Sequence, residues 1–250
     1  RLVIAGTALI PIFRHHGGLV RPSIPEMWVA FVPIVTIAAP AILTQLATPL
    51  GQAFVTRAMA TFGEAAVAGM AIVSRMTPVA FGVIFALPGA IGPVIGQNFG
   101  AGRMDRVRRA WRDGLLFCGI FTVAMTAILF ALRGPIIELF EAEGVTRDLI
   151  VLFCGPLALA FFFNGVIFVA NAAFNNMGHP FRSTWINWGR HTLGTVPFDL
   201  SCGALFGATG VLIGQAVGGV IFAGVAAVMV RQMMAGEAGA PDTEKPFDRQ

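Results

Sequence analysis

GQNFGAGRMDRVRRAWRDG, residues Gly96 to Gly114, packs four glycines and five arginines between two long apolar runs. A glycine loop that cradles phosphate usually follows a strand and opens a helix, as in GxxxxGK[ST]. This stretch follows an apolar run of helical length and has no GK[ST]. No aromatic series suited to stacking bases accompanies the arginines, so nucleic acid is not the expected partner. A membrane interface accounts for both residue types. The glycines end one helix. MDRVRRAWRDG then lies along the headgroups, with Met104, Val107 and Trp111 at helical spacing and Arg108 and Arg112, four apart, on a wetter face. Arginine in that position also favours anionic lipid.

Composition points to the same solvent. The chain has 250 residues, 56% hydrophobic and 12% charged, where a soluble domain carries about 25% charged residues. So short a chain has too little interior for that much apolar side chain. Cys118, Cys154 and Cys202 each lie inside an apolar run without metal-ligand spacing, and read as small buried hydrophobes. No metal or cofactor is expected. The opening RLVIAGTALIPIF turns polar after Phe13, well short of the ~20 residues of a span. It reads as the end of a preceding transmembrane helix, residues 1–13, followed by a cytoplasmic linker, 14–27. The chain is therefore expected to be part of a longer one.

Six apolar segments follow: Trp28 to Ala58, Ala65 to Ile95, Leu115 to Leu132, Leu149 to Ala173, Thr184 to Gly203, and Val211 to Val230. About 20 helical residues cross the ~30 Å hydrocarbon core, so each can span. None shows the alternation of a membrane β-barrel strand. The expected fold is all-α, a polytopic bundle of six transmembrane helices over residues 28–234. With six spans, Arg14, Arg21, Arg103, Arg106, Arg108, Arg109, Arg112, Arg182 and Arg231 share one side. The other side has Arg57, Arg133 and Arg147. The arginine excess makes the first side cytoplasmic. The polar tail, 235–250, is expected to be cytoplasmic and disordered.

Chemistry is sought inside the spans. Pro33, Pro40 and Pro49 fall in the first, Pro78, Pro88 and Pro93 in the second, and Pro197 in the fifth. Proline removes a backbone donor and kinks a helix, and such kinks must pack on protein or line a cavity. An ionisable group at mid-depth costs at least ~2.5–3.5 kcal/mol, which makes Asp199 and Arg75 candidates for ion or substrate handling. Arg190 and His191 are expected to snorkel to the cytoplasmic interface, and His15, His16 and His179 to face solvent. Thr44, Gln45 and Thr48 cluster beside Pro40 and Pro49, while Asn164 and Asn171 share a face seven residues apart. Such polar groups serve either as interhelical glue or as the lining of a path.

Several stretches in order resemble the multidrug and toxic compound extrusion (MATE) transporters. GQNFGAGR looks like the family's loop after the second helix of a six-helix lobe. FGEAAVAGMAIVSRM, Phe62 to Met76, LFEAEGVTRDLIVLF, Leu139 to Phe153, and FNGVIFVANAAFNNMGHPFRS, Phe163 to Ser183, match its other junctions. The match runs from Pro33 to about Met234 and is closest to the second lobe. The resemblance implies one lobe of a two-lobe, twelve-helix inner-membrane exporter of cationic, amphipathic compounds. It implies alternating access coupled to inward Na⁺ or H⁺, with the N-terminal lobe and the bilayer as partners. Family members carry acids where this chain has Thr48 and Asn164, so either Asp199 stands in or an acid in the other lobe does.

The residues expected to bind substrate or cation are Gln45, Thr48, Asn164, Asn171 and Asp199, with Arg75 a possible intramembrane charge partner. A lipid-linked oligosaccharide flippase is an alternative of similar plan, and a non-transporting scaffold another. No nucleophile, metal or DxxD-type cluster argues for an enzyme. The orientation is testable. Asp105→Cys is expected to react with an impermeant maleimide from the cytoplasmic face and Glu143→Cys from outside; the reverse pattern overturns it.

Overall fold

Among the described residues, 23–238, the computed structural model is helical. The chain forms α1 (Ile24–Ala60), α2 (Glu64–Gly100), α3 (Met104–Leu139), α4 (Gly144–Leu152), α5 (Ala158–Asn176), α6 (Pro180–His191) and α7 (Val196–Ala238). A π-helical turn, Phe153–Leu157, joins α4 to α5. Four stretches are long and apolar enough to cross a membrane: Glu64–Gly100, Met104–Leu139, Gly144–Asn176 and Pro180–Gly236. The expected preceding helix, 1–13, and most of the linker and tail lie outside the described residues. α1 begins at Ile24, ahead of the expected first span, and α7 continues to Ala238, into the expected tail.

Of the described residues, 41–238 belong to one compact unit, and the packing below lies within it; those up to Pro40 belong to a separate unit. In that shorter unit Trp28 and Phe31 meet edge to face at 5.5 Å. In the larger one α5 is central, with α2, α3, α6 and α7 packed against it. Its small residues permit this. Gly165 lies against Cys118 and Ile84, and Gly114 of α3 against Val169 and Ile91. Val107, Trp111, Gly114 and Cys118 are the buried face of α3. The amphipathic stretch of the opening sequence is thus the first turns of a spanning helix. Lipid tails are as apolar as leucine, so this core is held by close contact rather than by escape from solvent.

Two irregularities face each other. Phe81 has non-helical backbone angles (φ −114°, ψ 16°) within α2. It lies one turn beyond Pro78, which cannot donate a helical hydrogen bond. The π turn opposite contains Pro156. Phe81 is fully buried, stacks on Phe161 at 4.0 Å and meets Phe153 edge-on at 6.4 Å. Both defects therefore face protein, as the bilayer requires. Pro197 behaves differently from the kink expected of it. It sits in the first turn of α7, where a missing N–H breaks no helical bond. The break comes earlier, at residues 192–195.

α7 is a hairpin of two helical arms. Gly207, with φ 66° and ψ −146°, interrupts it. Past that point Gly210 approaches Cys202, Gly214 approaches Phe198 and Asp199, and Gly218 approaches Gly194. Each contact is centred near Gly207, so the two arms are antiparallel. A Cβ on Gly214 would lie 2.5 Å from the Phe198 carbonyl oxygen. Three glycines four residues apart therefore let backbone meet backbone.

The two ends of the unit differ in charge. Clefts lined by Arg108, Arg112 and Arg231 and by His179 and Arg182 lie at the end where Met233 and Met234 sit. A third, lined by Glu138, Glu143 and Arg147, lies beside the α3–α4 turn. A buried backbone contact of this kind predicts that Gly214→Ala and Gly218→Ala each cost about 1–3 kcal/mol. Gly219→Ala, whose Cβ meets open space, serves as control. Thermal unfolding in detergent checks this; equal melting of all three variants contradicts the hairpin contact.

Candidate transport site

Five buried polar side chains recur every fourth residue along α6 and the start of α7: Ser183, Asn187, His191, Thr195 and Asp199. They are 1%, 6%, 6%, 1% and 1% exposed, and Thr122 is the only other buried polar residue among those described. At 1.5 Å per residue the series covers on the order of 24 Å, most of a hydrocarbon core. Four-residue spacing places successive side chains on one face of a helix.

At its lower end the ladder is well bonded. The Ser183 hydroxyl donates to Asn175 Oδ1 at 3.0 Å and approaches the Asn171 carbonyl at 3.4 Å. Asn187 Nδ2 donates to the Ser183 carbonyl at 2.8 Å. Thr195 Oγ1 donates to the Arg190 carbonyl at 2.9 Å. This last bond, with Val196 N–H to Thr192 O at 2.9 Å, carries the ladder across the break between α6 and α7. Elsewhere partners are missing. Asn171 Oδ1, His191 Nδ1 and both Asp199 carboxylate oxygens are buried without a hydrogen bond. Buried polar groups are paired as a rule, and an unpaired one is costly.

α1 covers part of this ladder. Thr44 Oγ1 and Thr184 Oγ1 are 2.8 Å apart, and Trp188 Nε1 donates to the Leu43 carbonyl at 2.9 Å. Further along, Gly51 lies against the His191 ring. The order Thr44 to Thr184, then Gly51 to His191, means the two helices run in parallel. Gly51 leaves the space that the imidazole occupies.

The sequence candidates separate. Asp199 and Asn171 join the ladder. Asn164, half-buried, lies two helical turns before Asn171 on α5. Gln45 and Thr48 are exposed on α1, and Arg75 is exposed on α2; none of the three has a side-chain partner among the described residues. His191 does not snorkel outward as expected, since it is buried nearly a whole helix in from Pro180. His179 occupies the position just before α6, half-buried rather than open to solvent, and His15 and His16 lie outside the described residues. The sequence reading missed Ser183, Asn187 and Thr195. Their spacing was the available signal, masked by the break at 192–195. Among the described residues no group of His, Cys, Asp or Glu could hold a metal ion.

The MatE family model matches residues 40–200, from the middle of α1 to Asp199 and its neighbour. The chain belongs to the MATE transporter family. That family consists of transporters, not enzymes. An uncharacterised 21 kDa protein of Pseudomonas savastanoi is 35% identical over 85% of this chain and 69% of that one. The FAD transporter of Shewanella oneidensis is 26% identical over 85% of this chain and 51% of its own length. A probable multidrug resistance protein NorM of Bradyrhizobium diazoefficiens is 34% identical over 48% of this chain and 26% of its own length. Among solved structures, the bent form of the Vibrio cholerae MATE transporter VcmN overlays with TM-score 0.77 at 25% identity, covering 86% of this chain and 48% of that one. A MATE protein in its straight conformation overlays with TM-score 0.81 at 18% identity, covering 95% and 55%. The chain thus spans about half the length of these transporters.

Within this MATE fold the ladder depends on Gly51. Gly51→Ala is expected to push the imidazole aside and cost about 1–3 kcal/mol. Adding His191→Ala should recover much of that loss, because the two changes share one contact. Additive losses in the double variant's melting would show that the two do not touch.

Proposed function

We propose that this chain forms one six-span lobe of an inner-membrane exporter, its arginine-rich end cytoplasmic. The transporter moves cationic, amphipathic compounds by alternating access, driven by inward Na⁺ or H⁺, together with a second lobe. The observation that carries the reading is Asp199, buried in a membrane-length helix with neither carboxylate oxygen bonded. An unpaired carboxylate in low dielectric favours whichever state lets a cation reach it. Binding a proton or Na⁺ removes that penalty, so the ion biases one facing state. Only such differential affinity can couple ion to cargo.

The remaining candidates have separate parts. Asn171, with its side-chain oxygen Oδ1 buried and unbonded, lies at the foot of the ladder and supplies a neutral ligand to a cation. Asn164 extends that lining along α5. Gln45, Thr48 and Arg75, exposed on the lobe, face cargo or the second lobe, and Arg75 is available to a charge brought from there. The relative named as a FAD transporter favours a second cargo, because it matches 85% of this chain against 48% for the NorM relative. A flavin nucleotide and a cation such as ethidium each carry a planar aromatic ring system, and they differ in sign of charge.

Proteoliposomes of the complete transporter test both readings. Asp199→Asn is expected to lower gradient-driven export at least about tenfold, a loss of ~1.4 kcal/mol or more in coupling. Substrate counterflow without an ion gradient should persist, which separates lost coupling from lost folding. Unchanged gradient-driven export would sink the role of Asp199. Comparing ethidium with FAD as cargo decides between the two substrate classes.

A further inference from the structure

The arginine-rich end holds a cleft of about 260 Å³ between the first turns of α3 and the last turns of α7. Arg108, Trp111, Arg112, Leu115, Arg231 and Met234 line it. Three arginines line it, and among the described residues no carboxylate does. Arg112 Nε lies 3.5 Å from Asp113, the one ion pair among the described residues. Arg108 Nη2 donates to the Met234 carbonyl at 3.3 Å, so it ties the two helices and leaves its other donors to the cleft. Trp111 is buried at 6% exposure and forms an amphipathic floor at the point where the apolar part of α3 begins.

Among the described residues, the surface below the cleft is apolar and exposed. Leu116, Ile120 and Val123 continue the Arg108–Arg112 face of α3 at steps of three and four. Val228 and Val225 are exposed three and six residues before Arg231 on α7. A basic pocket above a two-helix apolar strip matches one ligand form: a phosphate-bearing head on hydrocarbon chains. Guanidinium forks bind phosphate oxygens in pairs, which a lysine cannot do. A basic pocket between helices at the cytoplasmic surface suits an anionic lipid head. Free phosphate would satisfy the arginines and leave the strip unused.

We propose that this cleft binds the headgroup of an anionic phospholipid, with an acyl chain lying along the strip between α3 and α7. The lipid bridges the start of one spanning helix and the end of another, beside the Arg108 bond that joins them. This proposal rests on the placement of the chain in a membrane and not on the role of Asp199.

Tryptophan quenching in reconstituted bilayers tests it, with the Trp111 signal taken as the difference from Trp111→Phe. At equal mole fraction, brominated phosphatidylglycerol is expected to quench that signal about twofold more than brominated phosphatidylcholine. Arg108→Gln with Arg231→Gln should bring the ratio near one, while Arg103→Gln, outside the cleft, should leave it unchanged. Equal quenching by both lipids in the unaltered protein overturns the proposal. Glycerol phosphate in the buffer should not relieve the quenching; full relief would mean a soluble phosphate site and overturn the lipid. Selectivity that emerges only after removal of residues 239–250 would assign the cleft to the acidic tail and also overturn it.

Discussion

The contact of Gly210, Gly214 and Gly218 with the backbone from Gly194 to Cys202 is the constraint on which the rest depends. It lets the last two arms of the chain lie against each other with no side chain between them. Helix association in lipid relies on such closeness, because no solvent is released from between apolar surfaces. The contact also buries Asp199, whose backbone faces Gly214. A side chain at Gly214 would separate the arms and let lipid or water reach that carboxylate. The tightest packing in the unit and its least satisfied polar group are therefore one feature.

Irregular backbone elsewhere obeys the same rule. The Phe81 kink and the π turn at Phe153–Leu157 each release backbone groups, and each faces the other across stacked phenyl rings. The break at residues 192–195 is bridged by Thr195 and by local backbone bonds. Leu193 of the break and Phe206 beside Gly207 are exposed, whereas the first two departures from ideal helix lie where protein covers them. Such places are also where a membrane helix can bend without exposing polar backbone.

Much of the fold was legible in the residues. Apolar run length gave helices of spanning size, and the arginines of Arg103 to Arg112 gathered at one end with Arg182 and Arg231, as their loop positions required. The site was legible only in part. Asp199 stood out because charge inside an apolar run is costly wherever it points. Ser183, Asn187 and Thr195 did not, because short hydroxyls and amides are common in membrane helices and bond their own backbone at little cost. His191 was misplaced because a position relative to the interface says nothing about a covering helix. Gly51, about 140 residues earlier in sequence, is what makes room for it.

Local chemistry alone determined the solvent, the helical class, the sidedness of charge and the family. These follow from sums along the chain: hydropathy over ~20 residues, arginine counts per loop, and ordered junction motifs. Tertiary structure decided which polar residues are buried, which are paired, and which of the prolines bends a helix. Burial and pairing are properties of two surfaces in contact. One stretch of residues carries only one of those surfaces, so the ladder from Ser183 to Asp199 became a buried series only when α1, α5 and the returning arm of α7 closed over it.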